Sequence, residues 1–371
     1  MEKIPCANTI ENWVKKSGYC IYNKKSENES EQSDYALIID ESMMLGSEKM
    51  MLSLSIPAQK ASSEPTKYAD VKVLDISVRS KWNSENIKEI FNRTEERHGK
   101  SPSYIVSDND SKLVKAMREQ SCIHIRDISH SLALHVEKLY KNDADFQAMT
   151  KSISQVKIRE VMRPTSYLLP ARQRTIARFM NLSPTVDWLV RMQKVFPFLS
   201  TEEKEVFSFV NHYPEMTAEL RQIFDFIHFL ESLIKSSGLS KKNIQLGLRK
   251  MNKLLNVKSE RIGLFKKSVR KYMMEEYEKI PSKKCIWNAS SDIIESLFGT
   301  YKLRRSPNSL NGVTPYVFLL PLLTTIEEGT PASDINFKEA LENVFLRDLT
   351  QWRNNNLSDN LVVIRKQKLS A

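Results

Sequence analysis

Two aspartates stand where short apolar runs end. Asp40 closes Tyr35–Asp40 (YALIID), and Asp108 follows Ser103–Ser107 (SYIVS). Runs of this length and content suit buried strands. A carboxylate at the carboxyl end of such a strand lies outside the sheet, where ligands collect, and a second one beside it makes an oxygen-ligand site for a divalent cation. Each aspartate alone also reads as a turn or capping residue, Asp108 especially, because a helical run follows it. Other chemistries have less behind them. Cys122, His124, His130 and His135 fall within 14 residues, but Cys122 and His124 alternate along a strand-like run. The four cysteines (Cys6, Cys20, Cys122, Cys285) include no C-x-x-C pair, so neither zinc nor a disulfide scaffold is indicated. No two of the nine glycines lie closer than nine positions, the nearest being Gly238 and Gly247. That spacing excludes G-x-G-x-x-G, a Walker A loop and the G-x-S-x-G elbow that a Ser/His/Asp triad would need.

The elements that must hold the two aspartates can be read around them. Lys49–Ile56 (KMMLSLSI) and Val71–Val78 (VKVLDISV) alternate and predict two further strands. A helix is predicted over Ser84–His98, opened by Asn83 and Ser84 and closed by Gly99. A helix over Ser111–Gln120, a short strand over Cys122–Arg126 and a helix over Ser129–Tyr140 follow. The order is an α/β unit in which a meander precedes two crossovers. Before it, Asn8–Gly18 predicts a short helix with Ile10, Trp13 and Val14 on one face, and 23–34 is a polar linker. After Asp143 the strand texture disappears until Lys284; Leu220–Lys235 and Ile244–Leu255 carry helical spacing. Ser290 or Ser291 then caps a helix running to Arg304, and Phe337–Arg353 is predicted helical.

Composition bounds the function classes. At 371 residues, with 41% hydrophobic and 27% charged, the chain has enough apolar mass for two domains. The net charge of +11 is concentrated. Lys241–Lys284 holds 14 Lys+Arg against four acids, and Lys151–Arg174 holds six against one. Such runs are often only solvated helix faces, but two of them on an otherwise acidic body favour a polyanionic partner, nucleic acid before membrane. No apolar stretch is long enough to span a bilayer, and MEKIPCANTIENW lacks the order of a signal peptide, so the chain reads as cytoplasmic.

The element order, with an aspartate ending the first and fourth strands, resembles the ribonuclease H-like fold. Within it the sequence resembles the DDE transposases, in particular bacterial insertion-sequence enzymes whose core is interrupted by a helical insertion. The motifs are Asp40 with Ser107–Asp110 (SDND), Asp127-Ile128-Ser129-His130, and Glu295 followed by Lys302. The second is similar to the C/D-x-x-H element of hAT-like and Mutator-like transposases. The third keeps two helical turns between acid and base. The resemblance covers about 35–142 and 285–320. It implies an α/β fold, a mixed five-stranded sheet with flanking helices, interrupted by a large all-α insertion. Residues 1–34 would be an N-terminal helix and linker left from a DNA-binding region, 35–142 the first part of the core, and 143–284 the basic insertion. Residues 285–325 would supply the last core helix, and 326–371 a helical tail.

The resemblance also implies roles. Asp40, Asp108 and Glu295 would be catalytic and hold two Mg²⁺, with Mn²⁺ able to substitute; Asp40 would bridge both ions. Glu295 is expected on the face of Leu297 and Phe298. The activity implied is metal-dependent DNA cleavage and strand transfer at transposon ends. Lys302 would meet a phosphate near the scissile bond, with Arg304, Arg305, Lys266, Lys267 and Arg270 adding DNA contacts. His130 either orients the scissile phosphate or is a core histidine, with Asp127 in support. Asp110 is the alternative to Asp108, and Asp292 to Glu295, although an aspartate so early in a helix usually answers the helix dipole. Trp188 either stacks on a flipped base or packs with Val186, Leu189 and Val190. Partners implied are transposon-end and target DNA and further copies of the chain, in the bacterial cytoplasm and on the nucleoid. The rival readings are a catalytically inactive or domesticated transposase-derived DNA-binding protein, and a ribonuclease H-like nuclease.

Overall fold

The run that ends in Asp40 carries no charged side chain before it, and the chain buries that run in the middle of a sheet. The computed structural model describes residues 4–24, 33–42, 44–171, 179–305, 308, 310–326, 337–359 and 361–370. Its strands are β1 (Tyr35–Glu41), β2 (Lys49–Pro57), β3 (Lys72–Arg79), β4 (Ile105–Ser107) and β5 (His124–Arg126). Across the sheet they run β3-β2-β1-β4-β5. β1 pairs antiparallel with β2, and β2 with β3, while β1–β4 and β4–β5 are parallel.

Helices fill the rest. In chain order they are α1 (Ala7–Asn23), α2 (Ser84–His98), α3 (Ser111–Glu119), α4 (Ile128–Tyr140), α5 (Ala144–Glu160), α6 (Ser183–Val195), α7 (Thr201–Phe207) and α8 (Pro214–Ser237). There follow α9 (Lys241–Leu254), α10 (Glu260–Lys279), α11 (Asp292–Arg304), α12 (Leu319–Leu323), α13 (Phe337–Asn343), α14 (Leu346–Asn356) and α15 (Leu361–Ser370). Among the described residues no helix is long and apolar enough to cross a membrane.

The chain divides into two units. The first comprises Met1–Asp127, Lys235–Ser237 and Ile286–Ala371, and the second Ile128–Ile234 and Gly238–Cys285. In the first, Leu37 and Ile39 of β1, Met51 and Leu74 meet Ile87, Ile90 and Phe91 of α2 and Leu113, Ala116 and Met117 of α3. The helix signals act as their chemistry requires. Asn83 accepts from the Asn86 N–H at 2.8 Å to start α2, and Gly99, at φ 85°, ends it in the left-handed region. β5 begins at His124 rather than Cys122, because the Cys122 N–H donates to the Met117 carbonyl at 2.9 Å and so belongs to the exit from α3. The predicted tail helix breaks at Val344–Phe345, where the Asp348 carboxylate accepts from the Phe345 N–H at 2.8 Å and starts α14.

α1 runs past Gly18, where the sequence suggested it would stop. It lies so close to the short 3₁₀ turn Pro315–Phe318 that a Cβ on Gly18 would meet the Phe318 carbonyl oxygen at 1.8 Å. Tyr19 packs edge-on against Phe318, with centroids 5.0 Å apart.

The second unit holds α4 to α10, apart from the last three residues of α8. Trp188 is buried there, its Nε1–H donating to the Leu168 carbonyl at 2.7 Å and its ring near Phe207 and Phe209. It is a core residue, because donor and ring are both already engaged. A half-buried charge cluster braces the same unit. Arg261 pairs with Asp143 and Glu219, each at 2.7 Å, and the Tyr140 hydroxyl donates to Glu219 at 3.2 Å.

The α1 contact makes a stability prediction. Gly18→Ala forces a methyl into a main-chain carbonyl, so it should destabilise the first unit by about 1–3 kcal/mol, read as a lower denaturation midpoint. The exposed Gly299→Ala, whose Cβ would meet nothing within 4 Å, should not lower it.

Candidate functional site

Parallel pairing sets the centre of the site. Leu37 pairs with Ile105 and Ile38 with Val106. Carried two residues further, that register brings Asp40 level with Asp108 at the carboxyl ends of adjacent strands. Asp40 is buried, at 9% exposure, and Asp108 is half-buried. Both line one cavity of about 130 Å³ together with Glu41, Asp110 and Lys112, room for several water molecules.

Short-range hydrogen bonds fix each carboxylate. Asp40 Oδ1 accepts from the Glu41 N–H at 2.7 Å, and Asp108 Oδ1 accepts from the Asp110 N–H at 3.0 Å. The helix-capping role falls to Asp110, whose Oδ1 accepts from the Lys112 N–H at 2.8 Å at the start of α3. The Lys112 ammonium stands 3.5 Å from Asp110 and 3.7 Å from Glu41, and Glu41 also pairs with Lys49. Glu41 and Lys112 were not marked as site residues by sequence. Glu41 had a signal, its place directly after Asp40; Lys112 had none, since its position depends on how α3 leaves β4.

Glu295, expected as the third acid, is on α11, and the chain anchors that helix before it begins. Trp287 stacks on Tyr104 with centroids 4.4 Å apart, and the Asn288 N–H donates to the Tyr104 hydroxyl at 2.8 Å. Asp127, fully buried at the end of β5, accepts from the Ser291 N–H at 2.7 Å and from its hydroxyl at 3.1 Å. Its own N–H donates to the Ser107 carbonyl at 2.8 Å. One aspartate thus ties β4, β5 and the start of α11 together. On the other side, the Tyr68 hydroxyl lies 2.8 Å from Ser296 Oγ and 3.1 Å from Thr300 Oγ1.

Glu295 is exposed, with Ser296 and Gly299, whereas Leu297 and Phe298 are buried. Glu295 therefore borders Phe298, three residues on, as expected, but not Leu297, which turns with Ile294 and Tyr301 into the core. Lys302, two turns on, is half-buried, and its ammonium is held below the ordinary lysine value by burial and then by Arg305, while Glu295 and Asp40 pull the other way. Lys302 is thus within electrostatic reach of an acid from α11 and of one from β1. Among the described residues, no three His, Cys, Asp or Glu side chains are gathered as a ready ligand set. Asp292 is exposed at the first residue of α11.

The remaining candidates are dispersed. Arg304 is exposed and Arg305 half-buried, its Nη1 donating to the Asn311 carbonyl at 2.9 Å. His130 is half-buried on α4, in the second unit. On α10, Lys267 and Arg270 are exposed, but Lys266 is half-buried beside the buried Phe265 and Val269. His124 Nε2 lies 3.0 Å from Ser107 Oγ, His135 faces Tyr272 at 5.8 Å, and all four cysteines are free thiols. No protein-family model and no curated protein matches the chain.

Two predictions test this geometry without reference to activity. Asp127→Ala leaves the Ser291 N–H and hydroxyl without their buried acceptor and should cost about 1–3 kcal/mol in the denaturation midpoint; Asp127→Asn, which keeps one acceptor oxygen, should recover more than half of the loss. The Lys302 ammonium, followed by NMR titration, should titrate higher in Arg305→Gln, which removes a neighbouring cation. It should titrate lower in Glu295→Gln, which removes an anion that favours the charged form. Unchanged titration in both variants would separate these groups.

Proposed function

We propose that the first unit is a ribonuclease H-like catalytic core of the DDE transposase type, that the second is its basic helical insertion, and that the protein cleaves DNA phosphodiesters and transfers the resulting strand ends. One observation carries this reading: the parallel β1–β4 register puts Asp40 and Asp108 side by side over a shared cavity. The strand order β3-β2-β1-β4-β5, with β2 antiparallel, supports it, as does the reach of Lys302 to both Asp40 and Glu295.

The donor set fits a hard divalent cation, since it is made of carboxylate oxygens with no sulfur or imidazole. Asp40 and Asp108 would hold Mg²⁺, with Glu295 closing the site from α11. Bound there, Mg²⁺ supplies Lewis-acid stabilisation of the oxygens that gain charge in an in-line displacement. The protein's own groups do the rest. Lys302 holds a positive charge beside the carboxylates and would meet the phosphate entering the site. Asp127 keeps the α11 N-terminus in place and acts through it as a positioning residue. Arg304 and Arg305 would neutralise flanking phosphates, and Lys267 and Arg270 would give the second unit phosphate contacts of its own, which makes binding salt-dependent and largely blind to sequence. Self-association, as synapsis of two DNA ends would require, belongs to this reading.

Nicking of supercoiled plasmid in Mg²⁺ or Mn²⁺ tests it. Wild type should nick, and Asp108→Asn and Glu295→Gln should each lose at least about 10²-fold, because each removes a charge that acts in the transition state. Joining of a labelled 3′-hydroxyl end to plasmid distinguishes a transposase from a nuclease, which hydrolyses only. Tight, salt-sensitive DNA binding with no metal-dependent cleavage would overturn the enzyme reading and leave a DNA-binding protein.

A further inference from the structure

We infer that a second cavity in the first unit binds a single unpaired nucleotide of a DNA strand, next to the phosphate that Lys302 meets; this rests on the DNA-processing reading above. The cavity, about 470 Å³, opens between α1 and the segment 311–316, and Arg304 and Arg305 stand on its wall. That volume is in the range of small-ligand sites.

Its chemistry is divided as a nucleotide requires. Ala7, Ile10 and Val14 of α1 make one apolar wall, against which a base and sugar can lie. Ile10 is 48% exposed, so the wall is accessible. Facing it are two guanidinium groups, whose forked donors suit a phosphate. Arg305 is held in place by its bond to the Asn311 carbonyl. Arg304 is exposed. Thr314 and Tyr316 add hydroxyl groups. One acid lies on the wall, Glu11, and Lys15 pairs with it at 2.6 Å. The α1 wall is itself fixed, because Gly18 seats that helix on the Phe318 main chain.

Position selects the ligand. Arg304 and Arg305 follow Lys302 by two and three residues on one helix and its cap, a rise of roughly 3–4.5 Å. Arg305 bears on the Lys302 ammonium and also lines the cavity, so a phosphate at Lys302 leaves the adjoining nucleotide in reach of Arg305. A cavity of about 470 Å³ holds one nucleotide and not a base pair, so the nucleotide must be unpaired.

The test uses the full chain and a short oligothymidylate carrying one central 2-aminopurine, followed by fluorescence. Wild type should bind with a change in 2-aminopurine emission. Ile10→Glu places a carboxylate at the mouth of the cavity and should weaken binding at least tenfold and abolish the emission change. Asn8→Glu adds the same charge to α1 outside the cavity and should change affinity less than twofold. Arg304→Gln, an exposed substitution with little risk to folding, should behave like Ile10→Glu. Equal effects of Ile10→Glu and Asn8→Glu, or none from either, would overturn the cavity, and so would equally strong binding of free thymidine monophosphate, which would mark a mononucleotide site. Plasmid nicking is measured on the same proteins. A wild type that nicks but shows no cavity-dependent emission loses this inference alone. One that shows it without nicking keeps the cavity and loses the catalytic reading.

Discussion

Two parallel strands held in one register govern what this chain can do. β1 is buried from Tyr35 to Asp40, as only a strand with neighbours on both edges and cover on both faces can be. β4 is three residues long, so its pairing with β1 has little slack. A slip of one residue would turn every β1 side chain to the other face, sending Leu37 and Ile39 out of the core that α2 and α3 complete. The hydrophobic pattern therefore fixes the register, and the register fixes the place of Asp40 against Asp108. Two neighbouring carboxylates, one of them buried, repel each other and lose hydration, an arrangement that packing alone does not favour. Lys112 near Glu41 and Asp110, and Lys302 within reach of Asp40, offset part of that cost.

Placement of Glu295 is harder, because the chain leaves the first unit after Asp127 and, apart from Lys235–Ser237, returns at Ile286. The return is pinned at once. The Lys60 N–H donates to the Ile286 carbonyl at 2.8 Å, and the Ile286 N–H to the Gln59 side chain at 3.0 Å. Trp287, Asn288 and Ser291 then take up Tyr104 and Asp127 in turn. Asp127 is the last residue before the chain departs and Ser291 the last before α11, so the hydrogen bond between them closes the excursion. Geometry at Glu295 is thus decided by groups that do not touch the cavity.

Local chemistry made much of this legible. The apolar runs located all five strands, and Asn83 with Gly99 bounded α2, because caps and alternation act within a few residues. What escaped depends on distant contacts. Gly18 read as a helix end, whereas it is the point where α1 meets the Phe318 carbonyl, 300 residues away in sequence. Cys122 looked like strand because its run is apolar, but the exit hydrogen bond from α3 claims it. Asp108 and Asp110 were equally plausible caps by type, and only the turn between them assigns the cap to Asp110. The face of α11 was read half right: Phe298 borders Glu295, but Leu297, two residues on, turns to the other side of the helix and into the core. A charge run likewise does not say which lysine faces water, and Lys266 and Lys267 differ in exposure although they are adjacent.

Charge follows from the same constraint in layers. At the strand ends lie carboxylates, which repel a phosphate and attract a cation. Next come Lys302, half-buried, and Arg305, fixed to a carbonyl. Arg304 is exposed, and the second unit carries exposed cations of its own, Lys267 and Arg270. Salt screens the exposed charges most and the half-buried amine least. A polyanion would therefore be gathered by groups that ionic strength can weaken, but held beside the carboxylates by one that it barely reaches. With gathering and positioning placed on different residues, weak sequence-blind binding at the surface is compatible with a strictly positioned phosphate at the centre.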